Sequence, residues 1–264
     1  MRLFVSLAIL ALSAFNLHAC PTSTSSTIPS QDEEERALAI LERMREVYAS
    51  CKSYSDEGEA RTLFLSALPG QTRIRTRTVV KPFETIFERP ARFRFEFRTR
   101  QGEEEWDRYI VWLDDDSKAR SFWTLKYETR EWPSLEHGLG AARGVSDGTA
   151  NHVPALLYNR DNWLGGVEHF EFAGEANVEG HPCWRILAHP VSYAKTLVDP
   201  LNQNERKLPE AGPTTLWIDR DDHLLRRIRS TRKFEKFSTD RTITYRPVLG
   251  KRIPRDAFAV NPTK

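Results

Sequence analysis

The chain has little charge of one sign to spend on a partner. Its 39 basic and 37 acidic side chains nearly cancel and leave a net charge of +2, so no excess remains to attract a phosphate backbone at long range and nucleic acid is not an expected partner. Cysteine is scarce, with three residues in 264, and no tight Cys/His ligand spacing repeats, so neither a metal nor a cofactor is implied. No apolar stretch reaches bilayer length. The run Leu3 to Phe15 is too short for a permanent spanning helix. Alternation of strand and helix patterns is missing too, which removes the βα architectures. What remains is 39% hydrophobic and 29% charged residues, the balance of a folded, water-soluble chain long enough to bury a sizeable core.

Arg2 followed by the Leu3 to Phe15 run reads as an export signal over residues 1–19. Two cleavage modes compete at its end. Leu17-His18-Ala19-Cys20 fits the lipoprotein mode, with leucine three residues before the cut and cysteine after it; release as a soluble protein is the alternative. An acylated Cys20 would hold the protein on a membrane, each buried methylene adding about 0.8 kcal/mol. Residues 20–31 are rich in Ser, Thr and Pro and read as a tether, leaving 32–264 as one domain. In an oxidising compartment the remaining pair, Cys51 and Cys183, is expected to form a disulfide, with two buried thiols as the alternative.

Ser30 followed by Glu33 has the spacing of a capping box. Behind it Ala37, Ile40, Leu41, Met44, Val47 and Tyr48 recur at three and four residues, one apolar face of a helix. From Tyr54 the period becomes two. Arg92-Phe93-Arg94-Phe95-Glu96-Phe97-Arg98 alternates charge with phenylalanine, and Arg73 to Val79 does so more loosely, so each strand offers one apolar and one solvated face of an antiparallel sheet. The arginines read either as an anion-binding stripe or, better, as cross-strand partners of Glu84, Glu88 and Glu96. Further strands are expected at 109–113, 119–127, 167–172, 183–188, 214–218, 224–234, 241–245 and 257–260, with hairpin turns at the acidic clusters 114–117 and 219–222.

Gly144-Val145-Ser146-Asp147-Gly148 matches the nucleophile pattern of α/β-hydrolases, which has chemical meaning only between a buried strand and a helix. The stretch before it, 133–143, has no run of branched apolar residues. The pattern therefore reads as a helix start in a loop, with Asp147 capping a helix over Val153 to Tyr158, and a hydrolase built on Ser146, Asp199 and His223 is not expected.

The motif Phe87-Glu88-Arg89-Pro90-Ala91-Arg92-Phe93-Arg94-Phe95, the hairpin Ile110 to Asp114 through Phe122-Trp123, the late hairpin Thr215-Leu216-Trp217-Ile218-Asp219 with Leu224 to Ile228, and the closing Phe258 to Pro262 resemble stretches of the LolA/LolB-like periplasmic lipoprotein-carrier superfamily. The order of elements resembles it over most of residues 32–262. The resemblance implies an α+β, mainly β fold: an incomplete antiparallel barrel, or strongly curved sheet, with an N-terminal amphipathic helix and short lid helices over an apolar cavity. It also implies a periplasmic protein, with a lipidated Cys20 favouring a membrane-fixed receiver over a shuttle. The family's Asp-Gly-Lys turn is Asp114-Asp115-Asp116-Ser117-Lys118 here, and the arginine that ties lid to barrel in the carriers has no placed counterpart.

On that plan Phe93, Phe95, Phe97, Trp112, Trp123, Phe170, Phe172 and Trp217 are the expected walls of a hydrophobic cavity. The functional expectation is a non-enzymatic envelope protein that binds or carries a lipid, a lipoprotein's acyl chains or another hydrophobic ligand. The alternative is an interaction module that docks another envelope protein. A lipid-sized cavity under the helices favours the first, and an interior filled by side chains favours the second.

Overall fold

The computed structural model describes residues 30–67, 74–100, 105–113, 118–191, 196–198, 205–207 and 209–260. The export signal, Cys20, nearly all of the tether and the Asp114–Ser117 turn lie outside them. Helix α1 (Gln31–Ser50) starts at the expected capping box: Ser30 Oγ accepts from the Glu33 amide, and a Glu33 carboxylate oxygen accepts from the Ser30 amide. Asp32, Glu33 and Glu34 occupy its first turn, where carboxylates favour the positive end of the helix dipole. Ala37, Ile40, Leu41, Met44 and Tyr48 are buried, and each large one contributes about 1.5–3 kcal/mol.

The strands are β1 (Ser53–Ala67), β2 (Ile74–Glu88), β3 (Arg92–Thr99), β4 (Asp107–Leu113), β5 (Ala119–Trp123) and β6 (Glu128–Trp132). After helices α2 (Leu135–Ala142) and α3 (His152–Leu157) come β7 (Val167–Val178), β8 (His181–Pro190), β9 (Thr196–Val198), β10 (Glu205–Lys207), β11 (Glu210–Ala211), β12 (Thr214–Asp219), β13 (Leu225–Lys233) and β14 (Phe237–Leu249). One antiparallel sheet runs β6-β5-β4-β3-β2-β1-β14-β13-β12-β8-β7, with β11 added on β13. Among the described residues β6 and β7 are the two edges of an open sheet that does not close into a barrel. This is the mainly β, α+β plan that the resemblance implies.

The three α-helices of the described residues lie on one face, here called the inner face. α1 packs on β7 and α3, and α2 packs on β4, β5 and β6. The outer face of β2–β5 is covered by the C-terminal segment, which buries Ile86 with Ile253 and Phe258, and Ile110, Trp112 and Phe122 with Val260. The strand expected at 257–260 is instead a 3-10 turn, Arg255–Phe258, followed by irregular chain. It packs through side chains across the outer face, and Ala257 spends its carbonyl on Arg94.

The arginines of β3 behave as cross-strand partners. Glu96, buried on the outer face, takes Arg94, Arg98 and Arg108, while Arg92 pairs with Glu88. Burial works against the charged form of Glu96, but hydrogen bonds from Arg108 and Arg98 and the charge of Arg94 outweigh it and hold the carboxyl at about 2.

Candidate functional site

Six of the eight expected site residues converge on the inner face, and the alternation of β3 puts Phe93, Phe95 and Phe97 there. Phe93, Phe95 and Phe97 lie in one core cluster with Met44 and Tyr48 of α1 and with Leu156 and Leu157 of α3. Phe93, Phe95, Met44 and Leu157 are each 0% exposed, so no space as large as a water molecule adjoins them. Trp123, Phe170 and Phe172 pack partly buried against the same cluster, with the Arg36 guanidinium 3.6 Å over the Phe172 ring. Trp112 and Trp217 stand on the opposite face. Trp112 pairs across the strands with Arg94 and Arg120 in the small outer cluster, and Trp217 lies between the core residues Leu216 and Ile218 with Arg227 over its ring.

The expected Cys51–Cys183 disulfide is not formed; both thiols are free. Cys51 ends α1 and packs on the inner core. Cys183 is three residues from Ile186, which faces that core, so strand alternation sends its thiol to the outer face, beside Asp219 and Arg226. The sheet separates them. Burial pushes the Cys183 thiol up to about 11.

A polar group threads the packed interior. Tyr54 Oη donates to Asp56 Oδ2 at 2.7 Å and the Thr85 amide donates to Asp56 Oδ1 at 2.8 Å. No cation pairs with Asp56 among the described residues, and burial pushes its carboxyl up to about 7 against those two hydrogen bonds. Tyr48 Oη accepts from the Leu225 amide, and Tyr245 Oη lies 3.1 Å from His152 Nδ1. Burial, with help from the charges of Arg241 and Arg143, drops His152 to about 3, so the ring is neutral at physiological pH.

The cover over this interior is α2, α3 and the turn between them. Arg89, just after β2, reaches both α3 of this cover and α1. Arg89 Nε donates to the Cys51 carbonyl at 2.9 Å, and Nη2 donates to the carbonyls of Leu157 at 2.9 Å and Tyr48 at 3.3 Å. Those oxygens belong to the last turns of α1 and α3, where backbone acceptors have no helical partner. One guanidinium thus joins both helices to the end of β2. The signal was visible as the Arg-Pro pair before β3, but the partners are carbonyls and leave no mark in sequence.

The Gly144–Gly148 stretch is a turn of this cover. Ser146 is buried, and its hydroxyl accepts from the Ala150 amide; a helix and not a buried strand precedes it, so the geometry is not that of a nucleophile elbow. Asp147 does not cap α3, whose N-cap is Asn151. It takes Lys81 at 3.2 Å, while its carbonyl accepts from Arg241 at 2.7 Å. Gly148 follows with φ +87° and with His152 and Arg241 atoms 3.2–3.3 Å from where a Cβ would stand.

Cavities of 120, 190, 340 and 390 Å³ are present, and none of these four is lined by Phe93, Phe95 or Phe97; the 120 Å³ one takes the expected residue Trp123 into its wall, with Tyr109, Trp132 and Ala141 of α2. The largest sits outside α2 and α3 among Glu136, Arg143, Asn151 and Asn159. The 190 Å³ cavity lies on the inner face beyond the Asp147 turn, with Phe64, Phe234 and Phe237 in its wall.

No family model and no curated protein matches the chain. Solved structures similar to it include a putative outer membrane lipoprotein-sorting protein domain from Vibrio parahaemolyticus, at 6% identity and a TM-score of 0.34 over 85% of this chain and 97% of that one. Another is the Mycobacterium tuberculosis lipoprotein LppX, at 13% and 0.33 over 84% and 98%. A third is the Pseudomonas aeruginosa MucA/MucB complex, at 12% and 0.41 over 86% and 61%, so the chain spans under two thirds of that neighbour.

Proposed function

We propose that this protein is a non-enzymatic binding protein of the cell envelope that works as a docking module for another envelope protein. One observation carries the reading: the interior beneath the helices is filled by the chain's own side chains, with Phe93 and Phe95 at 0% exposure. Small-molecule sites run to about 300–1,000 Å³ and bury most of their ligand, and the space where an acyl chain was expected holds aromatic rings. The export signal and the lipidation pattern at Cys20 support an envelope location and a membrane anchor, and no cofactor enters the reading.

A second reading keeps the hydrophobic ligand. It is favoured by Arg89, whose three hydrogen bonds are the main polar link of α1 and α3 to β2; lifting the cover would expose Phe93, Phe95, Phe97, Trp123, Phe170 and Phe172 as a wall. The two are separated by uptake of a fluorescent fatty acid by the wild type and an Arg89→Leu variant, alongside photo-crosslinking from surface positions in intact cells. The docking reading expects no uptake by the wild type and protein crosslinks that cluster on one face. Saturable uptake by the wild type, with crosslinks to lipid only, refutes it.

A further inference from the structure

The inner face does not end where the helices end. β1, β2, β13 and β14 run on past the Asp147 turn, and their registers set four inner-face residues in one row: Arg77 on β2, Phe64 on β1, Thr239 on β14 and Arg232 on β13. The next row toward the strand tips carries Arg75, Ser66 and Phe237, and Phe237 stacks on Phe234 with ring centroids 4.4 Å apart. An aromatic floor thus lies between Arg75 and Arg77 on one side and Arg232 on the other. Phe237 is 36% exposed.

Charge pairing differs between the two faces of these same strands. On the outer face Arg61 pairs with Glu59, Arg229 with Asp240 and Lys233 with Glu210. On the inner face Asp147 takes Lys81 and, through its carbonyl, Arg241, while Arg75, Arg77 and Arg232 are exposed with no acidic partner among the described residues. Burial lowers the Arg241 guanidinium, and the charge of nearby Arg232 adds to it. A surface of this kind attracts carboxylates, and its strength falls with added salt.

The dimensions choose among acidic partners. Strands in a sheet are about 4.8 Å apart, so Arg77 and Arg232, three spacings from each other, are separated by roughly 14 Å at the backbone. An α-helix with its side chains is about 10–12 Å across. We propose that this open end of the inner face is the docking groove for an acidic amphipathic helix of the partner protein, its apolar side on Phe64, Phe234 and Phe237 and its carboxylates between Arg77 and Arg232. This rests on the docking reading and names the surface and the partner's chemistry.

The test uses the full chain and a fluorescently labelled synthetic peptide with glutamates on one helical face and leucines on the other. Anisotropy is read for the wild type, for Arg77→Glu/Arg232→Glu, for Phe237→Ala and for the outer-face control Arg61→Glu. All substituted side chains are exposed, and circular dichroism verifies that each variant is folded. Expected are wild-type binding that weakens about tenfold or more in the double variant and at high salt, a smaller loss in Phe237→Ala, and no change in Arg61→Glu. A peptide with glutamine in place of glutamate should not bind. Absence of binding, or equal binding by the double variant, overturns the groove. So does arginine-dependent binding to phosphatidylglycerol vesicles with none to the peptide, which makes the occupant a membrane. If the groove fails while cell crosslinks still cluster on another face, the docking reading stands and only this surface is wrong; fatty-acid uptake with lipid crosslinks fails both.

Discussion

Asparagine at position 56 should change the pH dependence of stability. In the fold the Asp56 carboxyl sits at about 7, against 3.8 for the free side chain, because burial disfavours its charge more than the Tyr54 and Thr85 hydrogen bonds favour it. A group whose folded value is raised contributes stability that is complete below the unfolded value and is lost as pH rises through the folded one. Three units at about 1.4 kcal/mol each make that loss on the order of 4 kcal/mol between pH 4 and pH 8. His152 works in the opposite direction. Its value falls from 6.5 to about 3, so its contribution is complete above 6.5 and is lost on acidification toward 3. The two slopes offset each other between about pH 4 and 6.5, and the wild type should be nearly flat there. Asp56→Asn keeps an acceptor for the Thr85 amide and removes the titration. Urea unfolding across that range should show the variant losing stability on acidification, and gaining up to about 4 kcal/mol over the wild type at pH 8 but little at pH 4. A difference between the two proteins that does not change with pH would refute the buried-carboxylate argument.

Arg89→Leu removes the guanidinium donor from three carbonyls of α1 and α3; hydrogen bonds to a charged group contribute about 1.5–3 kcal/mol each, so hydrogen exchange in α3 should quicken by tenfold or more with β3 unaffected. Gly58→Ala should cost about 1–3 kcal/mol, since its new methyl would stand 2.1 Å from the Phe83 ring and 2.6 Å from the Thr244 carbonyl; a melting temperature equal to that of the wild type contradicts this packing. Because Cys51 and Cys183 are free thiols, a reducing agent should leave the melting temperature unchanged, and a drop of several degrees would restore the disulfide.

Much of the fold was legible where one physical signal acts alone. The Ser30–Glu33 box, the single apolar face of α1 and the Phe/charge alternation of β3 each follow from local geometry, and each is found where the pattern puts it. Failures come where two surfaces are apolar at once. In Tyr109-Ile110-Val111-Trp112 every residue is buried, because the helices cover one face and the C-terminal segment the other, so alternation cannot say which way Trp112 points. The position of Trp217 depends on its register with β8 and β13, a nonlocal fact. Asp147 looked like a cap since it precedes a helix, but the cations that claim it lie 66 and 94 residues away on β2 and β14. Arg89 was hidden because its acceptors are main-chain atoms. The looser alternation of Arg75 and Arg77 offered an anion-binding stripe and a pairing stripe; on β3 pairing holds, and on the far end of β2 the acids are missing from the described inner face.

A filled interior leaves binding to the surface of the fold. Native mass spectrometry of the protein purified without detergent, cut free of its first 29 residues so that an acylated Cys20 cannot pass for cargo, tests it most directly. The filled interior predicts the bare polypeptide mass, unchanged after incubation with fatty acid. A bound mass in the acyl-lipid range that added fatty acid displaces would contradict it and make Phe93, Phe95 and Phe97 the wall of a binding cavity.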